Sequence, residues 1–330
     1  MEKTIRELSR LFRDIEFKLF QNQFSRDVYE SLSQSYKNKE NEVSTVTRLV
    51  ESINNKKYNS MKFHSYKIHG SRSYVEFDFQ DRPTTKELAD MIVISIISDG
   101  RKRLMQKVSF IQNKMNENGL WNIDKEQLYL LKNFPTFTGN KGLLKSYFGK
   151  SNICFHNHSK NLGSFMLFSD PGELKYISAP FLSEIVINGT IKLENINMSE
   201  SIISNQNNGM LQPFIFDLRF YEEYMHYFLK RSGPYGFLPN LGMNNSLPFL
   251  TNSVFSRDVY DFVRNWTLFN LGETSFSYGE MIDENLDRFV VSILKKIGLN
   301  EEIDLPEGSF ENGFNSDLAV FVVNFDVNQE

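Results

Sequence analysis

The feature that most constrains the fold is an apolar run over residues 88–97, LADMIVISII, in which isoleucine and valine predominate. Such a run is typical of a strand whose two faces are both covered by other parts of the protein. The next three residues, Ser98-Asp99-Gly100, are a turn signal, and residues 104–114 return as a second strand. The sequence therefore predicts a hairpin that belongs to a sheet covered on both faces.

Polar residues mark one end of both strands of this hairpin. Asp90 lies at the start of the first strand. Side chains alternate between the two faces of a strand, so Gln112 and Lys114 at the end of the second strand project to one side. Asn113 points to the other side. The hairpin is thus expected to bring an acid and a Gln-X-Lys pair to the same end of the sheet.

This arrangement resembles the core of the PD-(D/E)XK nuclease superfamily, which has the restriction-endonuclease-like fold, in the variant where glutamine replaces the second acid. Glu42 in ENEVSTVTRLVESI looks like the helix-borne acid that precedes this core. Residues 123–137, IDKEQLYLLKNFPTF, resemble a glutamine-containing segment of bacterial defence nucleases of this type. The resemblance covers residues 40–140 and is weak outside them.

The resemblance implies a divalent metal, Mg²⁺ or Mn²⁺, at the scissile phosphate, with Asp90 as its principal ligand. The Gln112 side-chain carbonyl and the Asn113 backbone carbonyl would be secondary ligands, and Glu42 would bind directly or through water. Lys114 would orient the attacking water or stabilise charge on phosphorus. These residue types suit the chemistry, because Mg²⁺ prefers one or two carboxylates plus waters and substrate phosphate.

Each of these residues also has a structural interpretation. A strand end facing solvent is an ordinary place for Gln and Lys, so the triplet alone is a weak signal. Glu42 falls in the first turn of a predicted helix over 42–54, where a carboxylate also suits the helix dipole, and we weigh the two roles equally. Glu87 is as readily a solvated charge as a functional residue.

Composition limits the class of protein. A chain of 330 residues with 40% hydrophobic and 24% charged residues is typical of a globular protein with one large domain or two modest ones. Its net charge of −4 does not favour nucleic-acid binding by the chain as a whole. A local basic patch is nevertheless expected on the hairpin, formed by Arg101, Lys102, Arg103, Lys107 and Lys114.

Cysteine and hydropathy patterns favour a cytoplasmic protein without a membrane partner. The single cysteine, Cys154, excludes an internal disulfide and favours a reducing compartment. No apolar run approaches the ~18 residues that a spanning helix requires. Cys154, His156 and His158 lie close together, but the absence of a second group at zinc-finger spacing argues against a zinc site.

Periodicity predicts the remaining elements. Helices are predicted over 4–32, 42–54, 125–132, 216–230, 254–270 and 280–297, paired strands over 60–69 and 73–80, a hairpin over 163–179, and a final strand over 318–327. The fold class is α/β (α+β): a restriction-endonuclease-like mixed sheet flanked by helices, followed by an aromatic-rich, mostly helical C-terminal region. We place a nuclease domain at 1–190 and a partner-binding or DNA-positioning domain at 191–330, with the polar stretch 195–210 at the boundary.

The sequence thus favours a metal-dependent nuclease that hydrolyses phosphodiester bonds in DNA, an effector of a bacterial anti-phage defence or restriction system. Its expected partners are DNA and a partner protein, for example an ATPase subunit, or a second copy of the chain. The alternative is a catalytically inactive nuclease-fold scaffold or nucleic-acid-binding subunit, in which Gln112 marks the loss of the metal.

Overall fold

A computed structural model describes residues 2–69, 74–100, 102–186, 189–192, 214–216, 251–277, 280–299 and 317–328. The helices are α1 (Glu2–Arg13), α2 (Ile15–Lys37), α3 (Glu42–Ile53), α4 (Lys125–Asn133), α5 (Gly142–Phe148), α6 (Ala179–Ile185), α7 (Val259–Thr267) and α8 (Glu284–Lys296). The strands are β1 (Lys57–Tyr58), β2 (Met61–His69), β3 (Tyr74–Phe79), β4 (Arg82–Glu87), β5 (Met91–Asp99), β6 (Lys102–Met115), β7 (Leu120–Asn122), β8 (Phe137–Lys141), β9 (Asn152–Ile153), β10 (Gly163–Ser169), β11 (Glu173–Ser178), β12 (Thr190–Lys192), β13 (Phe214–Phe216), β14 (Thr251–Ser253), β15 (Phe255–Ser256), β16 (Glu273–Ser277), β17 (Glu280–Met281) and β18 (Asp317–Asp326).

The fold is mixed α/β and is built around one large sheet. Its strands follow the order β1-β2-β18-β5-β6-β10-β11-β15, and β16 pairs with β6 and with β17. Two of the pairings, β18 with β5 and β10 with β6, are parallel. The predicted hairpin is present as the antiparallel pair β5 and β6, with Gly100 at its turn in a left-handed conformation (φ +59°).

The two faces of the sheet carry separate hydrophobic clusters, which confirms that β5 is covered on both sides. Met91, Val93 and Ile97 point into the first cluster, which α1, α2, α3 and α7 complete. Ile92 and Ile94 point into the second cluster, completed by α4, α5, α6 and α8. Each such buried aliphatic side chain stabilises the fold by about 1.5–3 kcal/mol, so β5 contributes from both faces.

Side-chain caps decide where the helices begin. Residues at the N-caps of five helices accept a hydrogen bond from a backbone N–H two or three positions on: Asp14, Asn41, Asp124, Asp258 and Asp283. The helix predicted over 4–32 is therefore two helices, because Asp14 caps α2 and ends the continuous stripe. Within the described ranges, every helix is too short or too polar to cross a lipid bilayer.

The predicted pairing of the strands at 60–69 and 73–80 is wrong, although both strands exist. β2 pairs with β1 and β18 in the large sheet, whereas β3 pairs with β4 and β8 in a separate four-stranded sheet with β9. Met61 and Phe63 of β2 pack into the first cluster, but Val75 and Phe77 of β3 pack into the second. The two strands therefore belong to different sheets and are not neighbours.

The final strand lies inside the sheet and does not begin a second unit. β18 runs between β2 and β5 and pairs with both over most of its length. The predicted boundary at residue 190 thus does not divide this sheet, because β15, β16 and β18 join strands from the first half of the chain. Among the described residues beyond 190, these strands stand beside the two helices α7 and α8. The predicted helix over 216–230 and the polar stretch 195–210 lie outside the described residues.

Candidate functional site

The structure brings Asp90 and Gln112 together at the end of the central hairpin. Asp90 directly precedes β5, and the pairing of Met91 with Ile111 sets it opposite the last residues of β6. Gln112 Nε2 donates a hydrogen bond to Asp90 Oδ2, and the Asn113 backbone N–H donates to the same oxygen at 2.9 Å. Both side chains are buried, with exposed fractions of 7% for Asp90 and 6% for Gln112. The sheet thus holds a carboxylate in a fixed position away from bulk water.

Two hydrogen bonds to one oxygen stabilise this buried carboxylate. A buried charge is costly unless it is paired or hydrogen-bonded. A hydrogen bond to a charged group contributes about 1.5–3 kcal/mol, roughly twice a neutral one. The Asp90 carboxyl group is therefore fixed in place by two donors of β6.

The neighbouring amide oxygen has no such partner. Gln112 Oε1 is buried and accepts no hydrogen bond from any described residue. The Asn113 side chain, on the other face of β6, is also fully buried and its Oδ1 and Nδ2 have no partner within the described ranges. An unsatisfied buried polar group costs about 1–3 kcal/mol, and such groups often mark a site that a water or an ion completes.

The donor set beside β5 fits a hard divalent cation. A carboxylate and an amide carbonyl are oxygen ligands of the kind that Mg²⁺ and Mn²⁺ bind. Asp90 and Gln112 Oε1 supply one of each on the same side of the hairpin. Among the described residues, no group of three or more His, Cys, Asp or Glu side chains is arranged to hold a metal. A cation at Asp90 would thus need waters and substrate oxygens to complete its shell.

Lys114 lies two residues beyond Gln112 and shares its face of β6 by strand alternation. Its side chain is partly exposed. The Lys114 side chain makes no hydrogen bond or ion pair with any residue that the structure describes. The ammonium group is therefore available to a ligand that approaches this end of the sheet.

Residues 123–137 contact the chain just before Asp90 through a side-chain hydrogen bond and ion pairs. Gln127 of α4 is buried, and its Nε2 donates to the Glu87 backbone carbonyl at 2.6 Å. Glu87 itself is only 9% exposed, so it is not a solvated charge. At the start of α4, Lys86 pairs with Asp124 and Glu126. Burial acts to lower the pKa of Lys86, but these hydrogen bonds outweigh burial and raise that pKa above its usual value.

Glu42 lies on the opposite face of the sheet from Gln112. It stands in the first turn of α3, whose buried residues belong to the first hydrophobic cluster. Gln112 shares its face of β6 with Phe110 of the second cluster. Glu42 is engaged in an interaction within the protein. The capping arrangement at Asn41 gives α3 a sufficient structural reason to begin here, and the two interpretations of Glu42 remain open.

The basic residues of the hairpin do not form one exposed surface. Lys107 is fully buried and donates to Asn252 Oδ1 at 2.6 Å. Arg103 pairs with Asp287 at 2.8 Å, and although burial raises the pKa of that carboxyl, the guanidinium opposes the shift. Arg101 lies outside the described residues. The predicted patch is incorrect because Lys107 is buried against Asn252 and Arg103 is paired with Asp287.

The second candidate cluster, near Cys154, is occupied by protein contacts. His156 Nδ1 lies 3.2 Å from Asp283 Oδ2, and the rings of His156 and His158 stack with their centroids 5.3 Å apart. Asp283 is also the N-cap of α8. These side chains thus connect the start of α8 to the loop after β9.

The fold and the site define a mixed α/β protein with a buried carboxylate and amide at one end of its central hairpin. The chain matches no protein-family model and no curated protein, and no solved structure matches its fold.

Proposed function

We propose that the protein is a metal-dependent nuclease that hydrolyses phosphodiester bonds in DNA. The observation that carries this proposal is the buried pair formed by the Asp90 carboxylate and the unsatisfied Gln112 Oε1. Lys114 follows on the same face with no protein partner in the described part of the chain. An acid, an oxygen ligand and a cation at one strand end are the groups that metal-assisted phosphodiester hydrolysis requires.

The roles of the residues follow from their chemistry. Asp90 and Gln112 Oε1 would hold Mg²⁺ or Mn²⁺. When bound, the metal polarises the phosphoryl oxygen and lowers the pKa of a bound water. Lys114 would place its positive charge beside the phosphate oxygens, where charge increases in the transition state. Asn113 fixes the orientation of Asp90 through its backbone N–H.

The resemblance to defence nucleases supports a more specific proposal. The protein would act in the cytoplasm as an effector of a bacterial anti-phage or restriction system. It would work with a partner protein such as an ATPase subunit, or with a second copy of itself. Purification of the chain with its natural neighbours, followed by mass measurement of the intact complex, tests this part.

One observation favours the alternative of an inactive scaffold. Asp90 already accepts hydrogen bonds from Gln112 and from the Asn113 backbone, so its charge is compensated without a cation. In that case Asp90 would serve only to connect the start of β5 to the end of β6.

Cleavage of supercoiled plasmid in Mg²⁺ or Mn²⁺ distinguishes the two proposals. Asp90→Ala and Lys114→Ala should each lose at least about a hundredfold in rate, equal to roughly 2.7 kcal/mol of transition-state stabilisation. Asp90→Asn is the sharper variant, because it keeps an acceptor for the Asn113 N–H while removing the charge. Matched controls are Asp78→Ala and Lys150→Ala, which change exposed residues elsewhere. If Asp90→Asn cleaves at the wild-type rate, or if the wild type cleaves in neither metal, the nuclease function is excluded and the inactive scaffold is favoured.

A further inference from the structure

A groove of about 830 Å³ lies at the far end of the sheet from Asp90. One wall is α1, and the other is formed by the turn at Asn59 and Ser60 and by the end of β18, with Phe325 and Val327. The Val327 N–H donates to the Ser98 carbonyl, so the groove lies beside the last residues of β5. At about 3.3 Å per residue, the length of β5 separates it from Asp90 by roughly 30 Å. The two sites are therefore distinct.

Four basic side chains on one face of α1 line this groove: Lys3, Arg6, Arg10 and Arg13. Their spacing of three, four and three residues places them in one row along the helix. Leu8 and Leu11 of the same helix are buried in the first hydrophobic cluster, and Leu11 also lines the groove, so the packing of α1 fixes the basic row in this orientation. Sequence periodicity showed the apolar stripe of this helix, but not that the basic row faces a groove.

The groove carries a positive charge in a chain that is negative overall. Glu7 and Asp14 also line it, so the described residues of the groove, four cations and two carboxylates, give a net formal charge of +2, against −4 for the whole chain. Asp14 is already engaged within the protein, because it accepts hydrogen bonds from the Glu16 N–H and from the Tyr58 hydroxyl at 2.8 Å. Burial, and then this bond to Asp14, raise the pKa of Tyr58 to about 12, so the hydroxyl remains a donor at neutral pH.

Two arginines at the C-terminal end of this row, Arg10 and Arg13, are available to bind a ligand. The side chains of Arg10 and Arg13 are exposed, and neither has a hydrogen-bond or ion-pair partner within the described part of the chain. A guanidinium presents five donors in a planar fork that suits the oxygens of a phosphate. The residues that line the groove thus favour a ligand with several negative charges in a row.

We propose that this groove binds the phosphate backbone of nucleic acid without reading its sequence. From Lys3 to Arg13 the helix rises about 15 Å, which spans roughly four nucleotides at 3.4 Å each. Among the described residues that line the groove, the one aromatic side chain, Phe325, is buried and offers no face on which a base can stack. The contacts are therefore electrostatic, and affinity depends on salt and not on base sequence.

A lipid surface fits the groove less well. The apolar residues that line it, Leu11, Phe325 and Val327, are all at most 7% exposed. A membrane-binding amphipathic helix instead presents its apolar face for insertion between lipids. The proposal extends the proposed nuclease function by naming where a substrate is held, but its chemistry does not involve Asp90.

Fluorescence anisotropy of a labelled 30-base-pair duplex of arbitrary sequence tests the groove. The full chain is titrated in EDTA, so that cleavage does not interfere, over a series of salt concentrations. Arg10→Gln with Arg13→Gln should weaken binding at least about tenfold at low salt and reduce the slope of log affinity against log salt by about 1.8, since each phosphate contact contributes about 0.9. The control variant, Arg26→Gln with Lys37→Gln, removes the same charge from exposed positions on α2 and should bind like the wild type.

Three results would overturn the proposal. These are no salt-dependent binding of the duplex by the wild type, equal losses in the groove and control variants, or tighter binding of phosphatidylserine vesicles than of DNA at the same salt concentration. The Asp90→Asn protein separates this proposal from the nuclease function. If Asp90→Asn and the wild type bind DNA equally but the wild type never cleaves it, DNA binding by the groove is supported and the nuclease function is refuted. If the wild type cleaves DNA but the groove variant binds DNA normally, the nuclease function is supported and DNA binding by the groove is refuted.

Discussion

Gln112→Glu is the most informative substitution at the site, because its effect on stability should reverse when a divalent metal is added. The change is nearly isosteric, yet it replaces the Nε2 donor that holds Asp90 Oδ2 by a second carboxylate. Without metal, two buried like charges then face each other. With metal, the same two carboxylates become a better ligand set than one carboxylate and an amide.

The size of the metal-free penalty follows from the contacts. Loss of a hydrogen bond to a charged group costs about 1.5–3 kcal/mol. Two like charges about 4 Å apart add up to roughly 4 kcal/mol at an effective dielectric constant of 20, until one carboxyl takes up a proton and limits the repulsion. We expect the Gln112→Glu protein to lose about 2–4 kcal/mol of unfolding free energy in EDTA.

Added Mg²⁺ should restore much of this loss. A ligand that binds only the folded state at a hundred times its dissociation constant stabilises it by about 2.7 kcal/mol. The wild type should gain less at the same Mg²⁺ concentration, because Gln112 offers a neutral oxygen. Gln112→Ala should lose stability in EDTA and gain the least from Mg²⁺, since it keeps neither the hydrogen bond nor the ligand.

Urea unfolding followed by tryptophan fluorescence measures all three proteins. The chain has two tryptophans, Trp121 and Trp266, and both are fully buried, so their emission reports loss of the core. Each protein is unfolded in EDTA and in a Mg²⁺ series. Asn22→Asp, which converts an exposed amide of α2 to a carboxylate, is the control for general effects of an added surface charge. The reasoning is refuted if Gln112→Glu is as stable as the wild type in EDTA, or if Mg²⁺ raises the stability of all four proteins equally.

Three further predictions concern the rest of the fold. Tyr176→Phe should cost about 1–3 kcal/mol, because the buried hydroxyl bonds to two serines and to Asn161 at 2.9 Å. Burial raises the pKa of Tyr176 to about 12, above its ordinary value of 10.0, so its share of stability is complete below pH 10 and is lost as the pH rises through 12. Urea unfolding at pH 8 to 12 should thus show the difference between the two proteins shrinking, and a constant difference would contradict the assignment. Deletion of residues 317–328 should leave β2 and β5 without their shared partner and abolish folding, and a native far-ultraviolet circular dichroism spectrum of the deletion protein would count against this. Gly163→Ala should destabilise the protein by more than about 1 kcal/mol, since a Cβ there would lie 2.2 Å from the Leu131 carbonyl oxygen, and an unchanged urea midpoint would show that the sheet can shift instead.

Local chemistry made the central hairpin predictable. The uninterrupted apolar run of β5 and the turn at Gly100 are encoded within a dozen residues, and alternation along β6 then fixes which side Gln112 faces. The final strand was predicted over 318–327 and is observed at Asp317–Asp326 for the same reason. The proximity of Asp90 and Gln112 follows from the register of that one hairpin.

Long-range pairing was not predictable from the same patterns. β2 and β3 alternate similarly, and nothing within either strand shows that β2 pairs with a strand some 250 positions away. The charge of Lys107 suggested an exposed basic surface, because no local signal shows that Asn252 accepts its hydrogen bond. The role of Glu42 could not be decided either, since its side of the sheet depends on how α3 packs.

The position of β18 affects how the protein is made. Asp90 accepts a hydrogen bond through its carbonyl from the Ala319 N–H, so one side of the candidate site depends on a strand translated more than 200 residues later. At about 5–20 residues per second, the ribosome needs at least ten seconds to cover that interval. During this time β2 and β5 have unpaired apolar edges of the kind that other chains can bind. The nascent chain is therefore exposed to aggregation until β18 arrives, and the backbone around Asp90 is fully paired only after synthesis has passed residue 319.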